Sequence, residues 1–174
     1  MVGSFSEVKD QPTLIKAMKY LPSNVHLLLV GEGPLKEKNE QLVKQINLEE
    51  RIHFLGFRDD VPRILKTVDI VVLSSHWEGL PLSAVEGMAA GKPLIGSNVP
   101  GIKEIVNKYG LLFSKGNSEE LANKINQLIN DPKKYNEIAE KCQLRAKFYS
   151  TEKMIDEYIK QYNILLNHKR HKIQ

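Results

Sequence analysis

The stretch Ile70-Val71-Val72-Leu73-Ser74-Ser75-His76-Trp77-Glu78-Gly79-Leu80-Pro81-Leu82-Ser83-Ala84-Val85-Glu86-Gly87-Met88-Ala89-Ala90-Gly91-Lys92-Pro93-Leu94-Ile95-Gly96 decides the fold. It opens on four consecutive apolar residues, too uniform for a strand with one wet face, and closes on a second short run at Pro93 to Gly96. Between them a loop rich in Ser, Gly and Pro leads into a helical pattern. That pattern stops at Gly91 with Pro93 just beyond, the order expected of a helix C-terminus. Strand, loop, helix and strand in this sequence form the repeating unit of a parallel sheet with crossover helices.

The same alternation extends outward in both directions. Strands are expected at Val25 to Val30, Ile52 to Leu55, Ile70 to Leu73 and Pro93 to Gly96, with weaker signals at Met1 to Ser4 and Leu111 to Phe113. Leu14, Ile15, Met18 and Leu21 form one helical stripe, and Leu42, Val43 and Ile46 another. The last third carries three consecutive helical patterns, through Leu121 to Ile129, Tyr135 to Tyr149 and Ile155 to Leu166. Asn117 with Glu120 fits a capping box, and Asp131 followed by Pro132 places a capping side chain before a proline at the first helical position. The expected architecture is α/β: a parallel sheet of about six strands, helices on both faces and extra C-terminal helices. One domain over residues 1–167 and a basic tail at 168–174 are expected.

Composition narrows the class. The chain has 174 residues, 41% of them hydrophobic, and no apolar run approaches the ~18 residues of a bilayer span. No secretory signal pattern opens the sequence. The formal charge of +4 owes three units to Lys169, Arg170 and Lys172 in the final six residues, so it is no footprint of nucleic-acid binding. That tail reads as a solvated terminus in preference to a lipid contact. The expected location is cytoplasmic, with a peripheral position at the inner face of the membrane as the second option. The single Cys142 leaves no disulfide framework and no zinc cluster, and reads as a small buried hydrophobe on a helix. His26 and His53 read as structural or surface residues, and Trp77 as a packing residue.

Ligands of open α/β sheets bind beyond the carboxyl ends of the strands, which is where Ser74 to Pro81 falls. The helix start after Gly79 and Pro81 offers free N–H groups at Leu80, Leu82 and Ser83 and a partial positive charge suited to a phosphate. Glu78 and Glu86, eight residues apart, bracket that loop. A carboxylate beside a phosphate site can accept hydrogen bonds from vicinal sugar hydroxyls; a loop surface residue and a solvated helix position are the alternative reading of the same spacing.

These residues resemble the donor-binding signature of group 1 glycosyltransferases (glycosyltransferase family 4). The match runs through Glu78-Gly79-Leu80-Pro81 and Glu86-Gly87-Met88-Ala89-Ala90-Gly91-Lys92-Pro93, with Gly87 where the family usually has alanine. Val2-Gly3-Ser4-Phe5 with Lys9, Val30-Gly31-Glu32-Gly33-Pro34, Phe54-Leu55-Gly56-Phe57, Val99-Pro100-Gly101-Ile102-Lys103-Glu104-Ile105 and Gly110-Leu111-Leu112-Phe113 follow in the family's order. The resemblance implies the Rossmann-like C-terminal half of a GT-B fold, which holds a nucleotide-diphosphate sugar, a UDP-sugar or GDP-sugar, with no metal and no cofactor. It implies that Glu86 binds ribose hydroxyls and that Glu78, the catalytic candidate, contacts the donor sugar near the reacting centre. It further implies that Lys9 and the backbone of Gly79, Leu80, Pro81, Leu82 and Ser83 hold the diphosphate or sugar hydroxyls, and that the base rests near Phe57 and Arg58. Ser4 stands where the family often has an arginine, which removes one cation from the leaving-group end.

The chemistry implied is retaining transfer to a glycan or lipid-linked acceptor. The acceptor-binding N-terminal domain of such enzymes is expected to be absent here, leaving the chain catalytically incomplete by itself. A non-catalytic nucleotide-sugar-binding or regulatory module is the alternative, disfavoured because both glutamates and Lys9 are present. A dinucleotide-dependent oxidoreductase fails because Gly31-Glu32-Gly33-Pro34 lacks the third glycine of the fingerprint. Glycoside hydrolysis by the Glu78 and Glu86 pair fails because one member is committed to ribose.

Overall fold

A computed structural model describes residues 1–170, with side chains through Leu166. In chain order the elements are α1 (Gln11–Ala17), β1 (Leu27–Val30), α2 (Lys36–Gln45), β2 (Ile52–Gly56), α3 (Val61–Thr67), β3 (Val71–Leu73), α4 (Leu82–Ala89), β4 (Leu94–Ser97), α5 (Ile102–Val106), β5 (Leu111–Phe113), α6 (Ser118–Ile129), α7 (Pro132–Ala146) and α8 (Thr151–Arg170), with 3-10 turns at Glu7–Lys9, Met18–Tyr20 and Lys147–Tyr149. Among the described residues every strand pairing is parallel, which places the carboxyl ends within each hydrogen-bonded group on one side. The α/β class expected from the sequence is the class observed.

The strand count among the described residues is lower than six. Five strands fall into two hydrogen-bonded groups, β1-β2 and β3-β4-β5. Met1 to Ser4 forms only an isolated parallel bridge, Val2 to Val30. Its backbone-to-backbone bonds go to β1 (Val30 N–H to Met1 O, Gly3 N–H to Val30 O), while Ser4 O accepts from Gln11 Nε2 and the other side meets the Ser74 hydroxyl through Met1 Sδ at 3.5 Å. β1 starts two residues later than expected because Val25 is held in a turn, its N–H donating to Pro22 O and its carbonyl accepting from Arg51 Nε.

The core is a continuous cluster that includes Leu14, Ile15, Leu29, Leu73, Met88, Leu94, Ile95, Ile102, Phe113 and Leu121, all essentially without solvent contact. β3 and β4, the strands that lead into and out of the informative loop, are buried along their whole length, which is why their sequences do not alternate. α4 packs on β3 and α7, and a β-carbon at Gly87 would lie 2.8 Å and 2.9 Å from the two Val71 methyls. The glycine found in place of alanine therefore leaves room for the branched residue beneath it. α4 ends in a Schellman arrangement: Gly91, at φ 75°, donates to Met88 O and Lys92 donates to Gly87 O.

The C-terminal helix starts are as expected, with one change of partner. Asn117 Oδ1 accepts from Glu120 N–H and Asp131 Oδ1 from Lys134 N–H, each at 3.0 Å. The Glu120 carboxylate, however, reaches Ser114 N–H at 2.8 Å instead of closing the box on Asn117. Hydrogen bonding to Ser114 holds the Glu120 carboxyl below its ordinary range. Cys142 is fully buried on α7, and burial pushes its thiol up to about 11. α8 runs through Arg170, and residues 171–174 of the expected basic tail lie outside the described residues. Among the described residues no helix is long and apolar enough to cross a membrane.

Candidate functional site

The carboxyl end of β3 is where the chain stops being apolar. Ser74 and Ser75 follow Leu73 directly and are as buried as the strand itself, so their hydroxyls need protein partners. Ser74 Oγ donates to Lys9 O at 3.0 Å, and Ser75 Oγ donates to Glu78 Oε1 at 2.6 Å. Ser97, at the end of β4 and likewise buried, donates to Ser75 O at 2.5 Å. Three serines at two adjacent strand ends thus tie the first loop of the chain to the loop after β3.

Lys9 Nζ donates to the same Glu78 Oε1 at 2.5 Å, closing an ion pair across 69 residues of sequence. The Lys9 and Glu78 side chains retain 20% and 11% of their surface, so the pair is shielded yet still reachable by a ligand. The backbone braces it further: His76 N–H donates to Val8 O and Glu78 N–H to Pro100 O. The loop of Val99 to Gly101 comes so close that a β-carbon at Gly101 would overlap the Glu78 carbonyl oxygen, and Gly101 sits at φ 82°. Only glycine meets both demands.

α4 begins immediately beyond this pair. Its N-cap is Pro81, which supplies no side-chain cap, so the first-turn amides of Leu82 and Ser83 remain available to an anion. Gly79, Leu80 and Leu82 are exposed, Ser83 half-buried and Pro81 buried. Glu86 is exposed on the next turn, and its carboxylate bonds no described side chain. The loop after β2 holds the remaining expected residues: Phe57 is 81% exposed, and Arg58 makes a forked pair with Asp60 at 2.8 Å for both bonds. That hydrogen bonding raises the Arg58 guanidinium and lowers the Asp60 carboxyl from their ordinary values. Lys9, Glu78 and the start of α4 are therefore one cluster, whereas Phe57 and Arg58 stand in a separate, open loop.

Several residues escaped the sequence reading. Ser74, Ser75 and Ser97 look like ordinary loop serines, and their signal was position alone, directly after apolar strands. Asp10, at φ 46°, caps α1 through Thr13 and lies 3.8 Å from His76 Nδ1, a buried nitrogen with no hydrogen-bond partner. Trp77 is 60% exposed, so the expected packing role is wrong: its loop is braced by backbone bonds on both sides of it and does not need the indole in the core. His26 and His53 stack at the surface, their nitrogens 3.1 Å apart. An apolar cavity of about 660 Å³, lined by Leu28, Val30, Val71 and Val72 among others, touches neither Lys9 nor either glutamate. Among the described residues no group of three or more His, Cys, Asp or Glu is placed to hold a metal.

Comparison with known proteins gives the family. N-acetyl-alpha-D-glucosaminyl L-malate synthase of Bacillus anthracis is 32% identical over 178 residues, covering 99% of this chain and 47% of that protein. The crystal structure of Anabaena Alr3699/HepE in complex with UDP superposes with a TM-score of 0.82 at 34% identity, covering 92% of this chain and 47% of the other. The same Anabaena protein in complex with UDP-glucose gives a TM-score of 0.77 at 36% identity, covering 83% and 43%. The chain thus spans about half the length of the relatives it matches. The family model described as "Glycosyl transferases group 1" matches residues 1–145, and the chain belongs to that family.

Proposed function

We propose that this chain is the donor-binding half of a retaining glycosyltransferase that moves a sugar from a nucleotide diphosphate to a glycan or lipid-linked acceptor. The carrying observation is the Lys9–Glu78 pair, held by buried serines beside the uncapped start of α4. A cation, a carboxylate and free helix amides at the carboxyl edge of a parallel sheet suit a sugar diphosphate better than any other common ligand. Lys9 and the amides of Leu82 and Ser83 take the diphosphate, Glu86 the ribose, Glu78 the donor sugar, and the loop of Phe57 and Arg58 the base.

As the bond between the anomeric carbon and the diphosphate oxygen breaks, positive charge develops on the sugar and negative charge on the departing phosphate. Donors already aimed at that phosphate stabilise the charge without reorganising, each worth ~2 to 4 kcal/mol in kcat. No step of this scheme calls for a metal ion. The acceptor and the residues that bind it belong to the part of the enzyme beyond this half, so the chain alone is expected to bind donor without transferring it.

The Anabaena neighbour was solved with UDP and with UDP-glucose, which makes the uridine series the first to test. Calorimetric titration with UDP, GDP, ADP and their sugar conjugates should show selective binding of one nucleotide. Glu86→Ala should weaken it by roughly 1 to 3 kcal/mol, the loss of hydrogen bonds to a charged acceptor. An unchanged affinity would remove Glu86 from the site, and rapid transfer by the unaccompanied chain would overturn the half-enzyme reading.

A further inference from the structure

Both internal donors to the Glu78 carboxylate fall on one oxygen. Lys9 Nζ and Ser75 Oγ each bond Oε1, at 2.5 Å and 2.6 Å, while Oε2 has no hydrogen-bond partner among the described residues. The two donors differ in permanence. Lys9 is a flexible cation that a diphosphate would attract, whereas Ser75 is a short side chain, fully buried, on a backbone pinned by Ser97. A ligand that draws Lys9 toward its phosphates leaves Ser75 as the protein group still holding Oε1.

We propose that Ser75 is a positioning residue: it fixes Glu78 by Oε1 so that Oε2 faces the donor sugar, and it keeps that orientation after the diphosphate has claimed Lys9. This role rests on the donor-site reading above. A carboxylate held by a lysine alone can exchange its two oxygens by rotating about its terminal bond, because an ammonium has no preferred plane. A hydroxyl from a rigid strand end removes that freedom, and a charge-assisted bond of this kind is among the stronger ones a side chain makes. Ser97 acts one step further back, holding the carbonyl of Ser75 and hence the direction in which its side chain leaves the strand.

The test uses UDP and UDP-glucose as probes of the purified chain, with Ser75→Ala, Glu78→Gln and the double variant. Ser75→Ala should leave the Kd for UDP within about twofold and weaken UDP-glucose roughly tenfold, the scale of one hydrogen bond to a charged group. In the Glu78→Gln background the same substitution should add nothing further, because the group it positions is already altered. Equal weakening of both probes would show a merely structural serine and overturn the proposal, as would full additivity with Glu78→Gln or no change in either Kd. Failure of the unaltered chain to bind either probe would strike the donor-site reading itself and this role with it. Ser75→Thr, which retains the hydroxyl, should keep the UDP-glucose affinity of the unaltered chain.

Discussion

The loop after β3 and the loop after β2 both sit at the carboxyl edge of the sheet, yet they are built in opposite ways. The first is anchored at a buried strand end and over-determined: Glu78 is held through its carboxylate by Lys9 and Ser75, through its N–H by Pro100, and through close contact with Gly101. The second is open: Phe57 points into solvent and Arg58 is occupied by its own neighbour Asp60. A site that must stabilise charge gains from rigid, shielded donors, because fixed dipoles need not reorganise. A contact that serves affinity for a flat ring does not need that rigidity. The contrast fits the proposed division between a preorganised reacting end and an adaptable base end.

The sharpest way to break the contrast is Gly101→Ala. Its β-carbon would overlap the Glu78 carbonyl in a backbone conformation alanine adopts poorly, so the braced loop must move. A loss of about 3 kcal/mol or more in urea-induced unfolding is expected, together with loss of nucleotide binding. A stable, binding-competent variant would show that the loop is not over-determined.

Next in size is Lys9→Ala. Removing one member of a shielded pair leaves Glu78 without its counter-charge, and a destabilisation of about 2 kcal/mol is expected, below the range for fully buried pairs because water still reaches both groups. Nucleotide-diphosphate affinity should fall as well, read by calorimetry. If Lys9→Ala unfolds at the same urea concentration as the unaltered chain, the pair is no more than a surface contact.

Arg58→Ala should do the reverse, lowering the thermal midpoint only slightly near neutral pH while weakening nucleotide binding. The acid limb gives a finer reading. Arg58 depresses the Asp60 carboxyl in the folded state, so its contribution is present above the ordinary carboxylate pKa and lost as pH falls through the lowered one. Without Arg58 the stability of the chain should therefore decline slightly less on acidification. A large midpoint shift at pH 7 would place Arg58 in a structural role and erase the difference between the two loops.

Much of this was legible before the structure. The uniform apolar runs at Ile70 to Leu73 and Pro93 to Gly96, the stop at Gly91, and the caps at Asn117 and Asp131 are local signals, and each element appeared within about one residue of where its pattern put it. Met1 to Ser4 and Trp77 misled for the same reason in opposite directions. Whether an apolar residue pairs or packs depends on what lies beside it, and neither neighbour is near in sequence.

The sequence by itself determined the α/β class, the parallel alternation and the position of Glu78 and Glu86 around a helix start, because period, turn chemistry and motif spacing act within a few residues. Tertiary structure alone decided that Lys9 meets Glu78 across 69 positions and that Ser75 shares the same carboxylate oxygen. It also decided that Gly101 must be glycine, and that Gly87 makes room for Val71. These are facts of close packing between strand ends and loops, where a few tenths of an ångström choose the hydrogen-bond partner and no periodicity along the chain records the choice.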